Sequence, residues 1–359
     1  MLSPDAEKES IRVGPERPEV SIVCPVFNEK EIVPKLLDLF QQVLSTLDRS
    51  YELIMVDDGS QDGTLELLKA RLGIIPDLKI VQLYRNYGQV AAASAGMSIA
   101  KGDWIIMLDG DLQHDPSDIA RLVAEISNGF DMVATYRSKR EETALRLLIT
   151  FVANRVNRFA TGVKVKDFGS GYRLFSARIL DMITDARGYV HYNTPALYLY
   201  ARAIVEIPIV QSRREHGSSK WTFNQFILFN LDFFLHSKKA IQVLLSLGFL
   251  GIFIGASMYV LCLLGLGVAK SISAPITICF TSFLSFLLAV IWREVLQTQR
   301  FALGLPDFLI AAIWAQDKDN KITPILDATV RADKPLTALI RQTACAPART
   351  QPQVKEIGK

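Results

Sequence analysis

Two carboxylates one residue apart, at the end of an apolar run, are the side chains in this sequence best placed to do chemistry. Ile105-Ile-Met-Leu108 has the make-up of a strand buried on both faces, and it stops abruptly at Asp109-Gly-Asp111, followed by Leu112-Gln113. Ligands of open α/β sheets gather just beyond the carboxyl ends of such strands, so both carboxylates stand where a ligand would. Oxygen donors at this spacing suit a hard divalent cation, Mg²⁺ or Mn²⁺. Mg²⁺ takes one or two carboxylates and leaves its other positions to water and phosphate oxygens. Asp111 is the expected direct ligand. The same spacing also fits a strand-to-turn junction whose Asp residues cap the next helix.

The elements that position this pair follow from hydrophobic periodicity. Val20-Ser-Ile-Val-Cys24 reads as a strand closed by Pro25, followed by Phe27-Asn28-Glu29 and a helix over 32–47. Glu52 to Val56 is a second strand, ending in Asp57-Asp58-Gly59-Ser60 before a helix over 64–72. Gly59 suits a tight turn there, with Ser60 or Asp62 as a helix cap. Lys79 to Leu83 is a third strand, leading through Arg85-Asn-Tyr-Gly-Gln89 into an Ala-rich helix over 90–100 that can pack closely on a sheet. The strand over 103–108 is the fourth. This alternation predicts right-handed βαβ units in an α/β, doubly wound, mostly parallel sheet. A helix over 119–127, a strand over 131–135 ending at Tyr136-Arg137 and a strand over 204–210 extend it. Between them, 145–159 carries an apolar face (Leu145, Leu148, Ile149, Val152, Val156) and three arginines, Arg146, Arg155 and Arg158. A basic amphipathic helix of this kind suits a membrane interface as well as a half-buried packing position.

From Ala240 to Trp292 the only charged residue is Lys270, which divides the run into two apolar segments. Each exceeds the roughly 20 residues that cross about 30 Å of hydrocarbon. Lys238 and Lys239 precede the first segment and Arg293 and Arg300 follow the second. The positive-inside rule therefore puts both ends of a two-span hairpin in the cytoplasm. Met1 to Pro18 is polar and lacks the apolar core of a signal peptide, so the first domain is expected to stay in the cytosol. The expected organisation is a polar lead over 1–18, a catalytic domain over 19–221, an interface helix over 222–239, two spans with flanks over 240–300, and an interfacial segment and polar tail over 301–359. Within the last, 301–315 is expected to dock on the membrane. A net charge of +3 without a dense Lys/Arg run argues against nucleic acid as a partner. The four cysteines, at 24, 262, 279 and 345, have neither disulfide nor metal spacing.

Pro25-Val-Phe-Asn-Glu29, Val56-Asp-Asp-Gly-Ser60, Asp109-Gly-Asp-Leu-Gln113 and Arg214-Glu-His-Gly-Ser-Ser-Lys220, in this order, resemble glycosyltransferase family 2. Within it they are most similar to the polyprenyl-phosphate glycosyltransferases: dolichyl-phosphate sugar synthases, bactoprenol glucosyl transferases and undecaprenyl-phosphate aminoarabinose transferases. Arg85-Asn-Tyr-Gly-Gln89 looks most like the last two groups. The likeness covers roughly residues 19 to 300 and departs from the family beyond Arg300.

The resemblance implies a GT-A-like fold. It further implies inverting, metal-dependent transfer of one sugar from a nucleotide-sugar, with a UDP donor expected, to polyprenyl phosphate, for modification of lipopolysaccharide, O-antigen or another cell-envelope glycan. Pro25, Asn28, Glu29, Asp57 and Asp58 would hold base and ribose. Asp109, turned toward the nucleotide, Asp111 and Gln113 would hold the metal, and Arg214 and Lys220 the diphosphate. Arg137 and Arg173 suit the acceptor phosphate. Asp167, in Asp167-Phe-Gly-Ser-Gly-Tyr-Arg173, is a catalytic candidate by likeness to the family's acceptor loop, or a loop cap. A carboxylate beside an anionic acceptor repels it unless paired with an Arg or the metal. His191 and His216 have no zinc spacing.

The family further implies membrane lipid as a partner, a bacterial inner-membrane location and a tetramer among possible homo-oligomers. Two other readings remain: a processive polysaccharide synthase and a non-catalytic membrane scaffold. The first needs more spans and a Gln-X-X-Arg-Trp motif, whereas Gln297-Thr-Gln-Arg-Phe301 follows the last span and lacks the Trp.

Overall fold

The computed structural model describes residues 17–139, 144–184, 190, 192–211, 310–316 and 322–327, with residue 230 and single helical positions between 280 and 295. Arg214 and Lys220, His191 and His216, and the expected interface helix and spans lie outside the described residues, those single positions apart.

The elements in chain order are β1 (Val20–Val26), α1 (Val33–Leu44), β2 (Tyr51–Asp57), α2 (Thr64–Lys69), β3 (Leu78–Leu83), α3 (Gln89–Ile99), β4 (Trp104–Met107), α4 (Ile119–Ala124), β5 (Met132–Lys139), α5 (Ala144–Thr161), β6 (Arg173–Ser176), α6 (Ala177–Met182), α7 (Thr194–Tyr200), β7 (Ile204–Val210), β8 (Ile310–Gln316) and β9 (Ile322–Asp327). All the strands among the described residues join one sheet in the order β7-β5-β6-β4-β1-β2-β3-β8-β9. Its centre, β3-β2-β1-β4, is parallel throughout.

Helices cover both faces, as the strand-helix alternation predicts. On one side α1 buries Val33, Leu36, Leu37, Phe40 and Leu44, spaced to make one stripe, against Ile22, Cys24, Leu53 and Ile106 of the strands. Each such side chain taken out of water contributes roughly 1.5–3 kcal/mol. On the other side the Ala-rich α3 lies close upon β1 and β2. A Cβ added at Gly96 would come within 2.5 Å of Val23 Cγ1, so only glycine permits this approach.

Two features differ from the expected mostly parallel sheet. First, β6 inserts between β4 and β5, antiparallel to both. This strand is only four residues long and begins at an arginine, so it lacks the apolar run that marks the others. Second, the segment expected to dock on a membrane becomes β8, antiparallel to β3 with Val81 opposite Ile313, and the expected polar tail contributes β9. Ile310, Ala312, Ile313 and Ala315 are buried there, and Lys69 Nζ lies 3.8 Å from the centre of the Trp314 ring. The physical reason is the open edge of β3, whose unpaired N–H and C=O groups are satisfied by a strand from far along the chain.

Candidate active site

The carboxyl ends of β1, β2 and β4 lie side by side, with Val26 opposite Asp57 and Val23 opposite Met107. The loops that leave them are tied together. Asn28, at φ 52°, accepts a hydrogen bond from Gln61 N at 2.9 Å through Oδ1, and its own N–H donates to Ser60 Oγ at 2.9 Å. Glu29 N donates to Thr64 Oγ1 at 3.0 Å. Pro25 is buried within β1 rather than at the loop surface. Asp57 is 1% exposed, and burial pushes its carboxyl above the ordinary carboxylate range, against hydrogen bonding from Ser60.

Asp58, expected beside base and ribose, has a structural task as well: its carboxylate accepts the backbone N–H groups of Tyr87 at 2.8 Å and Gly88 at 2.9 Å. That clamp fixes the loop before α3. The two loops touch so closely that a Cβ on Gly59, already at φ +72°, would lie 2.5 Å from the Arg85 carbonyl carbon. The clamp places Gln89 at the start of α3, where its side-chain amide donates to Asp109 Oδ1. Sequence reasoning passed over Gln89 as a site residue. Its signal was position, since a polar residue opening a helix after a parallel strand faces the same crevice as the carboxylates.

Asp109 and Asp111 leave β4 through a strained turn. Leu112 stands at φ 55°, in the left-handed region uncommon for a branched apolar residue. Asp111 Oδ1 accepts Gln113 N at 3.1 Å, which ties together two of the three residues expected to hold metal. Two carboxylates and an amide are a donor set that fits a hard cation completed by phosphate and water. Cys24 lies buried nearby, and burial, then the charges of Asp109 and Asp111, push its thiol well above its usual value, so it is unreactive.

Opposite this turn stands the loop 167–173. A Cβ added at Gly171 would sit 2.5 Å from Asp109 Oδ2, so the loop backbone passes directly against the carboxylate. Asp167 is 1% exposed and pairs with Arg137 in a two-pronged contact, Nε to Oδ2 at 2.7 Å and Nη2 to Oδ1 at 3.1 Å. Gly169 N adds a bond to Asp167 Oδ1 at 3.0 Å. The charge of Asp167 is thereby offset, the condition that an anionic acceptor requires.

Arg173, expected with Arg137 at the acceptor phosphate, is a buried side chain. It is 2% exposed, with Nη2 donating to Ser170 O and its guanidinium 5.6 Å from the Tyr198 ring centre. On β6 the side chain at 173 faces the same side as Phe175, beneath α7, and the charges of Asp109 and Asp167 act on it.

His114, also passed over, is 4% exposed and stacks obliquely at 5.7 Å from the Tyr172 ring. Neither ring nitrogen has a hydrogen-bond partner among the described residues. Burial takes its imidazole down to about 4; Asp111 and Asp167 oppose the shift and Arg137 adds to it.

Residues 21–183 match the family described as Glycosyl transferase family 2. The chain carries a family 2 glycosyl transferase domain. That domain holds β1 to β6 with Asp109, Asp111, Arg137 and Asp167, while β7, β8 and β9 complete the sheet from outside the matched span.

An undecaprenyl-phosphate 4-deoxy-4-formamido-L-arabinose transferase of Pseudomonas fluorescens (strain Pf0-1) is 39% identical over 205 residues, covering 56% of this chain and 60% of that protein. One of the same name from Klebsiella pneumoniae subsp. pneumoniae is 37% identical over 210 residues, covering 58% and 64%. The chain thus spans less than two thirds of the length of these curated relatives. Among solved structures, glucosyl-3-phosphoglycerate synthase of Mycobacterium tuberculosis in complex with Mn²⁺ and uridine-diphosphate-glucose is 19% identical, with a TM-score of 0.44, covering 60% of this chain and 76% of that one. S. aureus TarS 1-349 in complex with UDP-GlcNAc is 17% identical, with a TM-score of 0.42, covering 61% and 67%.

Proposed function

We propose that the chain transfers a single sugar, with inversion, from a UDP-sugar to polyprenyl phosphate, in the presence of Mg²⁺ or Mn²⁺. The observation that carries this reading is the juxtaposition of the Asp109-Gly-Asp111 turn with the Arg137–Asp167 pair across Gly171. A cation-binding carboxylate pair and an arginine whose charge is partly held by a buried Asp are what a diphosphate donor and a phosphate acceptor need on two sides of one crevice. The names of the curated relatives support undecaprenyl phosphate as the acceptor.

The chemistry asks little proton transfer of the protein. A lipid phosphate is already ionised at neutral pH, so the residues need only hold it in line with the anomeric carbon and offset its charge. Arg137 does this, and Asp167 orients the guanidinium through two bonds that fix its plane. Asp109, Asp111 and Gln113 would hold the metal, which supplies Lewis-acid stabilisation of the departing nucleotide diphosphate. Gln89 keeps Asp109 turned toward the crevice.

Membrane attachment through the apolar run belongs to the same reading. β7 ends at Val210 and β8 begins at Ile310 in one sheet, so any crossing made by the residues between them is matched by a return. That supports an even number of spans with both flanks on one side, which the flanking Lys238, Lys239, Arg293 and Arg300 make the cytoplasmic one. Phe280, Phe283, Leu284, Leu288, Ile291 and Val295 are helical and between 37% and 57% exposed, a stripe that lipid suits better than water. No helix among the described residues is by itself long and apolar enough to cross a membrane.

The deciding experiment assays a panel of nucleotide-sugars against polyprenyl phosphate with Mg²⁺ or Mn²⁺, beside the variant Asp111→Asn. One donor should give metal-dependent UDP release that needs the lipid phosphate, and Asp111→Asn should abolish it while the thermal transition stays near the parent's. Polymeric product would move the chain to the processive synthases, and no release with any donor would leave a scaffold.

A further inference from the structure

We propose that Glu206, on the edge strand β7, is a positioning residue that sets the geometry of the Arg137–Asp167 pair. This rests on the phosphate-acceptor reading above and adds a residue outside the span matched to the family.

The pair holds only in one orientation, because a guanidinium meets a carboxylate through two parallel bonds that share a plane. Arg137 stands on β5 and Asp167 in a loop after α5, so their alignment depends on what fixes each backbone. β7 lies beside both. It runs parallel to β5, with Ala134 opposite Glu206 and Arg137 opposite Ile209.

Next to Arg137 the register slips between Arg137 and Lys139, which leaves Ser138 as an extra residue whose hydroxyl donates to Ile209 O at 2.9 Å. A bulge re-aims the side chains around it, and Arg137 is one of them. Next to Asp167, Lys166 N donates to Glu206 Oε1 at 2.6 Å. Glu206 is half-buried. Burial raises its carboxyl above the ordinary value, and the backbone N–H groups of Lys166 and Asp167 favour the charged form, so the carboxylate faces the loop backbone at the catalytic candidate itself.

Elsewhere the loop is tied to α5, through Arg158 Nε donating to Val165 O at 2.6 Å and Asn154 Oδ1 accepting Phe168 N at 3.3 Å. Glu206 fastens the amide between those two points. One strand therefore anchors the bulge beside Arg137 and the backbone beside Asp167, and the carboxylate is the part of that anchorage a single substitution removes. Without it the loop keeps its ties to α5 and loses its tie to β7, and the displacement falls on the residue that follows Lys166.

The test uses the full chain in detergent, as parent, Glu206→Leu, Glu206→Gln and Glu206→Asp. Hydrogen exchange read at single amides should be roughly tenfold faster at Lys166 in the Leu variant, with β1 and β2 unchanged. Turnover with farnesyl phosphate, using the donor that the nucleotide-sugar panel selects, should fall roughly hundredfold. Calorimetric binding of UDP with Mn²⁺ should stay at the parent value, which a general loss of structure would not allow. Glu206→Gln keeps a carbonyl oxygen for Lys166 N and should restore most of both readouts. Glu206→Asp keeps the charge one methylene short and should restore neither.

Parent-like exchange at Lys166 overturns the proposal whatever the rate does, and so does fast exchange with parent-like turnover. Asp outperforming Gln also overturns it, by making the charge rather than the bond the active feature; this comparison decides even where the Leu variant unfolds. Faster exchange in a chain whose parent transfers to no prenyl phosphate would leave the hold on the pair intact and overturn the function instead.

Discussion

Asp167 is 1% exposed, and Arg137 and Gly169 N meet both its oxygens and offset its negative charge in the interior. Removing the arginine alone strands that charge. Arg137→Met is expected to lower stability by about 3–5 kcal/mol, and Arg137→Met/Asp167→Leu to recover most of it, while neither transfers sugar. Thermal melts beside a transfer assay read both effects; a single variant as stable as the parent would show that the pair is not a buried couple.

His114 gives a second test at this scale, because burial holds its imidazole at about 4 against 6.5 for a free histidine. Between those pH values the unfolded chain binds a proton that the folded one refuses. The stability held above pH 6.5 is therefore lost as the pH falls toward 4, by about 3 kcal/mol for this group. The fall from pH 7 to pH 4.5 should be visibly smaller in His114→Gln than in the parent. Parallel pH profiles would show that His114 titrates normally.

At the scale of elements, two turns and one loop meet at points where only glycine fits. Gly171→Ala drives a methyl group against Asp109 Oδ2, 2.5 Å from the ideal Cβ position, and must displace either the carboxylate or the loop. A misplacement near 1 Å costs roughly a hundredfold in rate. The expected result is a loss of that order with a raised metal requirement, measured as turnover against Mg²⁺ or Mn²⁺ concentration. Parent-like half-saturation would show that the loop yields without moving Asp109.

The same contacts explain how legible the site was. Asp109, Asp111 and Gln113 could be read from the end of one strand, and the structure holds them in one turn. Asp58 could not, because its partners, Tyr87 and Gly88, belong to a loop that only sheet formation brings alongside. Arg173 was expected at the acceptor phosphate, and nothing local announces that β6 will run between two other strands and bury it under α7.

For the whole molecule, β3 needs β8. A chain cut after Ser237 would leave β3 as an open, apolar edge and expose the side chains that Ile310 and Ile313 cover. It is expected to aggregate or melt early. A chain in which residues 222–309 are replaced by a flexible Gly/Ser linker keeps Arg214, Lys220 and β8 and should bind UDP-sugar with metal. It should nevertheless lose most transfer to lipid acceptor in membranes. Light scattering and nucleotide-sugar titration of the two shortened chains distinguish these outcomes; equal behaviour would make β8 dispensable.

By itself the sequence determined the elements whose signals are local. The parallel centre β3-β2-β1-β4 is legible because each strand is a short apolar run followed by a helical period, and successive βαβ units close in one hand. The placing of two carboxylates at the mouth of that centre follows from the same runs. Tertiary structure alone decided the rest. A four-residue strand, an edge filled from more than two hundred residues away, the capture of Asp58 by backbone amides and the reach of Gln89 to Asp109 all depend on partners distant in sequence. Their energies exist only once the sheet has brought those partners within hydrogen-bonding distance.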